Sequence, residues 1–493
     1  MRRSNGGIIG PDNVTTGGFS GVASGVFKLG EVTDLIRESK WPEVSPFINT
    51  IPNSVRLDGG GTYFSRTQTA GNRRTWTQSG WYKFDGIDPG NAQSLVSTNG
   101  TNTGTNFHYT LEKGGSSGGA VDTLSCHGYS GDIFQTTRLL RDYSGWYHIV
   151  LAVDTTQGTS ANRMKLYVNG ESVTMSEQAQ YPAQNFEFGV NNNNIVIGLG
   201  THPGSVSGYQ FSGYMANIEL VDGVAYGPEY FGSTNADSGI WTPVPTSTIS
   251  SYGTNGFKLA FANASALGTD TSGQGNNFTA NSITSIDQGS DSPSNNFPTF
   301  NPLLPTQSAI ITPAFSDGNL TSLFDNGSTN EFAMSTFAVA SGKWYAEFKW
   351  VSATGTGATS VGLIRTDANF NLDPNDSGIA YKGNGQKNIG GSSSSYGASY
   401  GAGNIIGVAL NMDDNQVTFY KDGASQGAIS ITADLTYYIF CSDYNNKTVS
   451  ANFGNPPYAL TSAVADANGF GQFEYAPPTG YFSLCTNNLN ILE

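Results

Sequence analysis

Two short stretches in distant parts of this chain carry the same turn signal. Residues 164–173 read MKLYVNGESV, and residues 417–426 read VTFYKDGASQ. In each, alternating apolar and polar residues lead to a Tyr, one further residue, and then Asn-Gly or Asp-Gly. These dipeptides tolerate the positive φ angles of a type I′ turn, whose twist matches that of two antiparallel strands. Both stretches therefore predict a β-hairpin.

The same pattern extends along the chain. Each hairpin follows another alternating run, GWYHIVLAVD at 145–154 and NIIGVALNMD at 404–413. Gly accounts for 63 of 493 residues, aromatic residues for 12% and charged residues for only 12%, against roughly 25% charged residues in an ordinary globular protein. We therefore predict an all-β protein. Asn-Gly or Asp-Gly begins at twelve positions: 5, 58, 85, 99, 169, 222, 255, 317, 326, 384, 422 and 468.

Charge and hydropathy exclude several classes of function. The net charge is −15, and the only local basic pairs are Arg2-Arg3 and Arg73-Arg74, so we expect no nucleic-acid binding. No stretch approaches the roughly 18 apolar residues of a membrane span, and the N-terminal text has no apolar segment of signal-peptide length. We therefore expect neither a membrane span nor export by a standard signal.

The three cysteines do not predict a disulfide framework or a metal site. Cys126, Cys441 and Cys485 are odd in number and far apart, and no CxxC spacing occurs. Cys126 is followed by His127, but the other histidines show no ligand-type spacing. We expect inert, buried thiols.

The first 48 residues differ from the rest of the chain. A Gly-rich arm is followed by VFKLGEVTDLIRESKWPEV, which predicts a helix ending at Trp41-Pro42. Its apolar stripe is formed by Leu29, Val32, Leu35 and Ile36. Such a helix is too short to be stable alone in water. It must dock either on the following domain or on another protein.

The remaining text predicts two β domains. Strand-like runs occupy residues 49–286 and again residues 313–493. Between them, residues 287–312 include DQGSDSPSNNFPTFNPLLPTQ, which is rich in Pro, Asn and Ser and is typical of a linker. We expect each β domain to fold when expressed alone.

The motifs of both domains resemble known families. The first domain is similar to the laminin-G-like, concanavalin-A-like sandwich, through RLDGGGTYFS, TWTQSGWYKF, GWYHIVLAVD, LYVNG and FSGYMANIEL. The second resembles a SPRY domain, through GKWYAEFKW, SVGLIRTDA, GIAYKGNG, IIGVALNMDDNQVTFYKDG and VSANFGNPPY. The resemblance implies two antiparallel jelly-roll-type β-sandwiches in tandem. The repeated hairpin is then shared architecture rather than a duplicated active site.

The order of the parts resembles structural proteins of tailed bacteriophages, especially marine ones. That resemblance implies a virion fibre or surface appendage, which assembles in the host cytoplasm and ends on the virion surface. We expect residues 1–48 to anchor the chain to other virion proteins and the chain to form a homo-oligomer.

The acidic residues do not predict catalysis. Glucanases of the concanavalin-like fold place two carboxylates on one face of one strand. Glu187 and Glu347 each lack a partner two residues away, and Asp413 and Asp414 point to opposite faces. No His-Glu-x-x-His motif occurs. We therefore expect a protein that is not an enzyme.

Aromatic residues are the candidate ligand contacts. In TWTQSGWYKF, the two-residue period of a strand places Trp76 and Trp81 on opposite faces. We take Trp81 as the candidate on the outer face. Tyr381, Tyr396 and Tyr400 fall in Gly- and Ser-rich text, where exposed rings favour recognition or subunit contact. For all four, a purely structural role remains open.

One segment raises the question of a metal. GTDTSGQGNNF at 268–278 offers Asp270 and Asn276 as oxygen ligands for Ca²⁺, with flexible glycines between them. The same text is also typical of an ordinary turn. We expect no other cofactor.

Together these features favour a non-enzymatic phage virion protein, a tail fibre or similar appendage, that recognises a host-surface glycan. One alternative is a capsid-surface decoration protein that binds mainly other virion subunits. A second alternative is a polysaccharide depolymerase.

Overall fold

The structure is a computed structural model. It describes residues 8–10, 25–27, 51–86, 92–99, 109–114, 122–128, 131–175, 181–200, 209–236, 238–246, 249–304, 312–327, 329–353, 355, 358–368 and 378–492. The chain divides into two compact units, residues 1–49 and 50–493. In the first unit, β1 (Ile8–Gly10) and β2 (Gly25–Phe27) form an antiparallel pair. The predicted helix with Leu29, Val32, Leu35 and Ile36 lies outside the described residues.

The first half of the second unit is a β-sandwich with short 3₁₀ turns at Ser160–Asn162, Pro228–Tyr230 and Ser285–Asp287. Its strands are β3 (Ser54–Asp58), β4 (Tyr63–Arg66), β5 (Thr75–Phe84), β6 (Gln93–Asn99), β7 (Tyr109–Lys113), β8 (Leu124–Gly128), β9 (Gly131–Gln135), β10 (Tyr147–Asp154), β11 (Met164–Val168), β12 (Glu171–Ser172), β13 (Asn194–Ile197), β14 (Ser212–Asp222), β15 (Gly232–Thr234), β16 (Trp241–Pro243), β17 (Phe257–Leu259), β18 (Thr279–Asn281) and β19 (Gln288–Gly289).

The second half is another sandwich, which ends in the short helix α1 (Thr486–Leu492). Its strands are β20 (Ala314–Ser316), β21 (Thr321–Phe324), β22 (Glu331–Val339), β23 (Lys343–Ser352), β24 (Ser360–Arg365), β25 (Ile379–Lys382), β26 (Gln386–Ile389), β27 (Ser392–Ser395), β28 (Ile405–Asn411), β29 (Gln416–Lys421), β30 (Ala424–Ser430), β31 (Tyr437–Asp443), β32 (Lys447–Asn452) and β33 (Phe482–Ser483). The prediction of an all-β protein built from antiparallel sandwiches is confirmed.

The two sandwiches share the strand order of their larger sheets. In the first, the order is β12-β11-β10-β5-β14-β3-β19, and in the second it is β20-β21-β32-β23-β28-β29-β30. The strands β11, β10, β5, β14 and β3 thus correspond to β29, β28, β23, β32 and β21. Opposite these sheets lie the smaller ones, β18-β4-β13-β6-β7-β8-β9 and β22-β31-β24-β25-β26-β27.

Strand periodicity decides which side chains enter each core. In β5, Trp76, Tyr82 and Phe84 belong to the core of the first sandwich, whereas Trp81 lies on the opposite face of the sheet. The predicted placement of the two tryptophans on opposite faces is therefore correct. In β23, Trp344 and Phe348 fill the second core by the same alternation.

Both repeated hairpins are anchored by the same hydrogen bonds. The backbone N–H of Asn169 donates to the carbonyl of His148 at 2.8 Å, and its side-chain Oδ1 accepts the N–H of His148 at 2.8 Å. Asp422 makes the same pair of bonds with Ile405, each at 2.9 Å. The φ angles of Asn169 and Asp422 are 50° and 49°. The shared sequence signal is therefore a turn whose Asn or Asp residue is hydrogen-bonded to the neighbouring strand that precedes the hairpin.

A second device covers each turn. A Cβ added at Gly170 would meet the ring of Trp241 at 2.3 Å, and one added at Gly423 would meet the ring of Tyr475 at 2.7 Å. These rings come from two segments that lie over the outer faces of the larger sheets. We call residues 223–246 the first cover segment and residues 454–485 the second cover segment.

The predicted linker is corrected by the structure where it is described. Within residues 287–304, β19 extends the larger sheet of the first sandwich by pairing with β3. Asn295 accepts the backbone N–H of Asn487 at 3.1 Å, and the N–H of Ser290 donates to the side chain of Asn455 at 3.0 Å. The Ser290 hydroxyl also donates to the carbonyl of Gly454 at 3.2 Å. Asn and Ser side chains that suggested a flexible connector thus bind backbone groups of the second sandwich.

The two sandwiches also pack directly on each other. Tyr214, on the outer face of β14, is 1% exposed and belongs to the core of the second sandwich. Its hydroxyl donates to the carbonyl of Gly318 at 3.0 Å. Next to it, the side chain of Asn319 donates to the carbonyl of Asp85 at 2.7 Å. The β20–β21 turn of the second sandwich therefore docks onto the first.

Gly318 tests this docking. Its φ is +62°, and an added Cβ would lie 2.5 Å from the ring of Tyr214. Gly469 is the matched control, because its φ is +80° and an added Cβ would meet nothing within 4 Å. In both Ala variants the free energy of unfolding should fall by roughly 1 kcal/mol, because a residue with a Cβ disfavours the left-handed conformation. We expect Gly318→Ala to lose a further 1–3 kcal/mol or so through overpacking.

The measurement is urea unfolding of the full chain, followed by tryptophan fluorescence. Equal losses in the Gly318→Ala and Gly469→Ala variants would show that the docking of the two sandwiches does not contribute to stability.

Candidate functional site

Two of the three predicted tyrosines are buried, not exposed. Tyr381 lies in β25 with no exposed surface, and Tyr400 is 4% exposed. Their rings are 4.8 Å apart, and the hydroxyl of Tyr400 donates to the carbonyl of Tyr381 at 2.7 Å. The prediction that these rings contact a ligand is corrected, because they form part of the second core. The Gly- and Ser-rich text folds back over that core.

Tyr396 is the half-buried member of the group. It packs edge-on against Tyr381, with 5.2 Å between ring centroids. The ammonium group of Lys387 lies 5.7 Å from the centroid of the Tyr396 ring. Its hydroxyl donates to the carbonyl of Gly427. Tyr396 therefore ties together the edges of the two sheets, and the prediction that it contacts a ligand remains untested.

Trp81 is also covered. It is 3% exposed and stacks on His148 with 4.5 Å between ring centroids. Trp241, from the first cover segment, lies nearly parallel to the His148 ring, with 6.0 Å between ring centroids. Trp81 does lie on the outer face of its sheet, as predicted, but this stack leaves it almost no surface for a ligand.

The protonation of His148 follows from its partners. The indole N–H of Trp241 can only donate, so Nδ1 of His148, 3.0 Å away, must accept. Nε2 therefore carries the proton and donates to Ser79 Oγ at 2.9 Å. Burial lowers the pKa of His148 to about 3, so the ring is neutral at physiological pH. This histidine supports the stack of rings and is not poised for acid–base chemistry.

Buried carboxylates occupy corresponding places on the two outer faces. Ser79 of β5 pairs with Glu219 of β14, and Glu347 of β23 pairs with Asn452 of β32. Glu219 accepts the hydroxyl of Tyr252 at 2.5 Å and is 2% exposed. Glu347 has no exposed surface either, so both carboxylates are too deeply buried to reach a polysaccharide.

Glu347 fastens the second cover segment to the sheet. Its carboxylate accepts the backbone N–H groups of Glu474 and Tyr475, each at 2.9 Å. The side chains of Asn452 and Tyr345 donate to it as well, at 3.1 and 3.2 Å. Burial raises the pKa of Glu347 to about 7, although these hydrogen bonds partly offset the effect.

The residues proposed for calcium lie close together in one turn. The carboxylate of Asp270 accepts the backbone N–H groups of Lys258, Ser272 and Asn276 at 2.8–2.9 Å. The Oδ1 atom of Asn276 accepts a hydrogen bond from Arg66. Donors thus already approach the oxygens that a cation would need. No group of three or more His, Cys, Asp or Glu side chains suited to a metal occurs among the described residues, and calcium binding stays a prediction.

Beside this turn lies an accessible cleft of about 490 Å³. Its walls are the segment after β17 and the segment around β18. They approach closely, because a Cβ added at Gly268 would lie 2.1 Å from the carbonyl oxygen of Phe278. Leu267 and Phe278 are buried at its base. The accessible polar groups come from Ser265, Thr269, Asn277, Thr284 and Ser285.

The chemistry of this cleft is neutral. Every lining residue is Ala, Ser, Leu, Gly, Thr, Asn, Phe or Ile, so within the part of the chain that the structure describes no charged side chain lines the cleft. Hydroxyl and amide groups above a small apolar base suit an uncharged, hydroxyl-rich ligand, and the volume is that of a small-molecule site. Sequence reasoning missed the cleft because its text, ANASALGT, has neither an exposed aromatic nor a recognisable motif. The one signal in this text is its run of small residues, which leave room for a cleft.

The pKa of Glu347 generates a prediction. A folded-state pKa of about 7, raised from 4.5, means that the folded protein binds this proton more tightly. The resulting stabilisation is fully present below pH 4.5 and is lost as the pH rises through 7. We expect the stability of the wild type relative to Glu347→Gln to fall by roughly 3 kcal/mol across this range.

The measurement is chemical denaturation at several pH values. Glu171→Gln is the control, because the side chain of Glu171 is 75% exposed. A difference between wild type and Glu347→Gln that does not change with pH would contradict the assignment.

Comparisons with known proteins agree with this architecture. Residues 58–226 match the family model of the concanavalin A-like lectin/glucanases superfamily, and residues 343–456 match that of the SPRY domain. The ATP-dependent RNA helicase Ddx1 of Drosophila melanogaster is 27% identical over 146 residues, which are 29% of this chain and 18% of the helicase. The chain thus spans less than a fifth of the length of that relative.

Parts of the chain are similar to solved structures, of which two are described. The SPRY domain of human HERC1 is 19% identical, with a TM-score of 0.24, and the match covers 27% of this chain and 87% of that one. A putative carbohydrate binding protein from Bacteroides ovatus is 20% identical, with a TM-score of 0.33, and the match covers 48% of this chain and 59% of that one. No helix among the described residues is long and apolar enough to cross a membrane. The chain therefore contains a laminin-G-like, concanavalin A-like domain followed by a SPRY domain.

Proposed function

We propose that this chain is a non-enzymatic surface protein of a tailed bacteriophage, a tail fibre or similar appendage that binds a neutral glycan of the host surface. The observation that carries the glycan part is the uncharged cleft between residues 264 and 285 in a concanavalin A-like sandwich. The phage part rests on the order of the parts in the sequence: Gly-rich arm, laminin-G-like domain, Pro/Asn-rich segment and SPRY domain.

The physical case for a sugar rests on which interactions the cleft can make. Hydroxyl groups of a saccharide exchange hydrogen bonds with Ser, Thr and Asn side chains, and their C–H faces contact apolar groups. The cleft offers both, and it has no ammonium or guanidinium group to attract a phosphate or a sialic acid. We therefore expect a neutral hexose or N-acetylhexosamine unit rather than an acidic sugar.

The case against hydrolysis rests on the acidic side chains. A retaining glycosidase needs two carboxyl groups roughly 5 Å apart, both open to the substrate. Glu219 and Glu347 are buried in separate sandwiches and are held by hydrogen bonds to tyrosine, asparagine or backbone groups. The cleft itself has no carboxylate in its lining.

The glycan proposal predicts a site-specific loss of binding. Ala280 is exposed and lines the cleft, whereas Ala225 is exposed on the first cover segment and does not. A tryptophan at position 280 fills space that the sugar needs. We expect Ala280→Trp to weaken binding of neutral oligosaccharides by at least about tenfold, or about 1.4 kcal/mol, and Ala225→Trp to leave it unchanged.

The measurement is calorimetric titration with neutral and acidic oligosaccharides prepared from host surface polysaccharide. Binding that Ala280→Trp does not change would place the site elsewhere. Release of reducing ends by the purified chain, lost on substitution of a single Asp or Glu, would support the depolymerase alternative. Binding of virion proteins without any glycan affinity would support the decoration alternative.

The virion proposal predicts an anchor in residues 1–48. Deleting them should abolish incorporation into particles while residues 50–493 remain folded, because an apolar helix stripe that orders on a partner is lost. Leu35→Asp should weaken incorporation. Leu303→Asp is the matched control, since Leu303 is 59% exposed in the second unit.

The measurement is immunoblotting of purified particles, together with a melting curve of each variant. If the truncated chain assembles normally, residues 1–48 are not the anchor. If its melting temperature falls by about 4 °C or more, the segment instead stabilises the rest of the chain.

A further inference from the structure

Lys83 is a buried cation with an unusual set of partners. It lies on the outer face of β5, and its side chain is 1% exposed. Its ammonium nitrogen lies 2.7 Å from Asp291 Oδ2, 2.7 Å from Asn296 Oδ1 and 2.8 Å from the carbonyl oxygen of Phe297. The ring of Tyr214 lies 5.7 Å from it. A buried lysine and a buried carboxyl group thus meet the side-chain amide of the half-buried Asn296.

Asn296 is held so that its amide cannot turn away. Its Nδ2 donates to the carbonyl of Ser144 at 2.8 Å, while its Oδ1 accepts from Lys83. Its backbone N–H donates to Thr486 Oγ1 at 3.0 Å, and its carbonyl accepts the N–H of Thr486 at 3.0 Å. The side-chain carbon Cγ is bonded to Oδ1 at about 1.23 Å, so it lies no more than about 4 Å from the lysine nitrogen.

Asp291 is fixed on the other side of the lysine. Its Oδ1 accepts the indole N–H of Trp146 at 3.0 Å and the backbone N–H of Phe297 at 3.3 Å. Its side chain is 1% exposed. Burial raises the pKa of Asp291, although the neighbouring Lys83 and its hydrogen bonds partly offset the effect. In such surroundings, transfer of the lysine proton to the carboxylate removes two buried charges at once.

We propose that Lys83 and Asn296 form an intramolecular isopeptide bond, with Asp291 as the group that transfers the protons. This inference is independent of the proposed glycan site. It assigns a covalent modification to residues that otherwise form only a buried ion pair and its hydrogen bonds.

The reaction balances without any outside reagent. Asp291 takes a proton from the ammonium of Lys83, and the neutral Nζ attacks Cγ of Asn296, so that a new C–N bond forms. Asp291 returns its proton to Nδ2, and the Cγ–Nδ2 bond breaks. The departing ammonia takes up the surplus proton that Nζ still carries and leaves as ammonium. One amide replaces another, one ammonium ion leaves, and no electrons are transferred. A fixed arrangement of nucleophile, carboxyl and amide, in which the nucleophile and the carboxyl are buried, favours such a step.

The cross-link would join distant parts of the chain. It would join β5 of the first sandwich to the segment 288–304, which is hydrogen-bonded to the second sandwich. Because the bond is covalent, it would also keep residues 83 and 296 together in the unfolded chain. For a protein on the outside of a particle, a covalent bond across this junction would resist pulling and proteolysis.

The test is the mass of the purified, denatured wild-type chain. We expect it to be lower than the sequence mass by one ammonia molecule. Digestion should release a branched peptide that joins Lys83 to Asn296. Lys113 is the internal control: it is also buried and lies 2.6 Å from Asp122 Oδ1. Its partners among the described residues are this carboxylate and the rings of Phe84 and Tyr143 rather than a side-chain amide, so its peptide should remain linear.

Succinimide formation at an Asn-Gly step also removes one ammonia. Mild alkali hydrolyses a succinimide but not an isopeptide bond, so the mass difference should persist after that treatment. Asp291→Asn and Lys83→Arg should restore the full sequence mass. A folded wild-type chain with the full mass, or with the loss located at an Asn-Gly step, would overturn the proposal and leave Lys83 as a buried ion pair. The mass of the wild-type chain therefore tests the proposal even if neither variant folds.

Discussion

The central strands of each larger sheet are buried on both faces, and the rest of the structure depends on that constraint. One face of β5 or β23 fills a sandwich core, and the other must also be covered because it carries large rings and charged groups. A sandwich alone leaves such a face in water. The chain covers the outer faces with two cover segments and, in the first sandwich, with the second sandwich itself.

Covering the outer faces buries several large aromatic side chains. Trp81, His148 and Trp241 stack on one another beneath the first cover segment, and Tyr345 packs edge-on against Phe473 beneath the second. Rings used in this way cannot serve as platforms for a ligand. The cleft after β17, at the edge of the first sandwich, is accessible, and hydroxyl and amide groups face it above a small apolar base. The proposed specificity for neutral sugars follows from that chemistry.

Buried charges mark the places where separate parts of the chain meet. Lys83 and Asp291 join β5 to the segment between the sandwiches, and Glu347 binds the second cover segment. Burying a charge is costly unless it is paired and fully hydrogen-bonded. Each group here has three or four partners, so each contact requires one arrangement of the neighbouring segments. The two sandwiches are therefore coupled by polar geometry as well as by the apolar packing of Tyr214.

The sequence by itself determined the local structure. Alternation of apolar residues predicted the strands and the faces of Trp76 and Trp81, and the Asn-Gly and Asp-Gly signals at 169 and 422 predicted two hairpins, because strand periodicity and turn chemistry act over a few residues. Among the described residues, the dipeptides at 169, 317 and 422 have the positive φ at both positions that a type I′ turn requires. The family motifs extended the prediction to two sandwiches.

Only the tertiary structure decided what covers each face. Trp81 is buried by Trp241, Tyr214 enters the core of the other sandwich, and the Asn- and Ser-rich segment becomes a bonded junction. The pairing of Lys83 with Asn296 spans 213 residues. Local patterns contain no information about such partners. They state which face a side chain takes, whereas the segment that lies over that face is chosen by packing and hydrogen bonding across the whole unit.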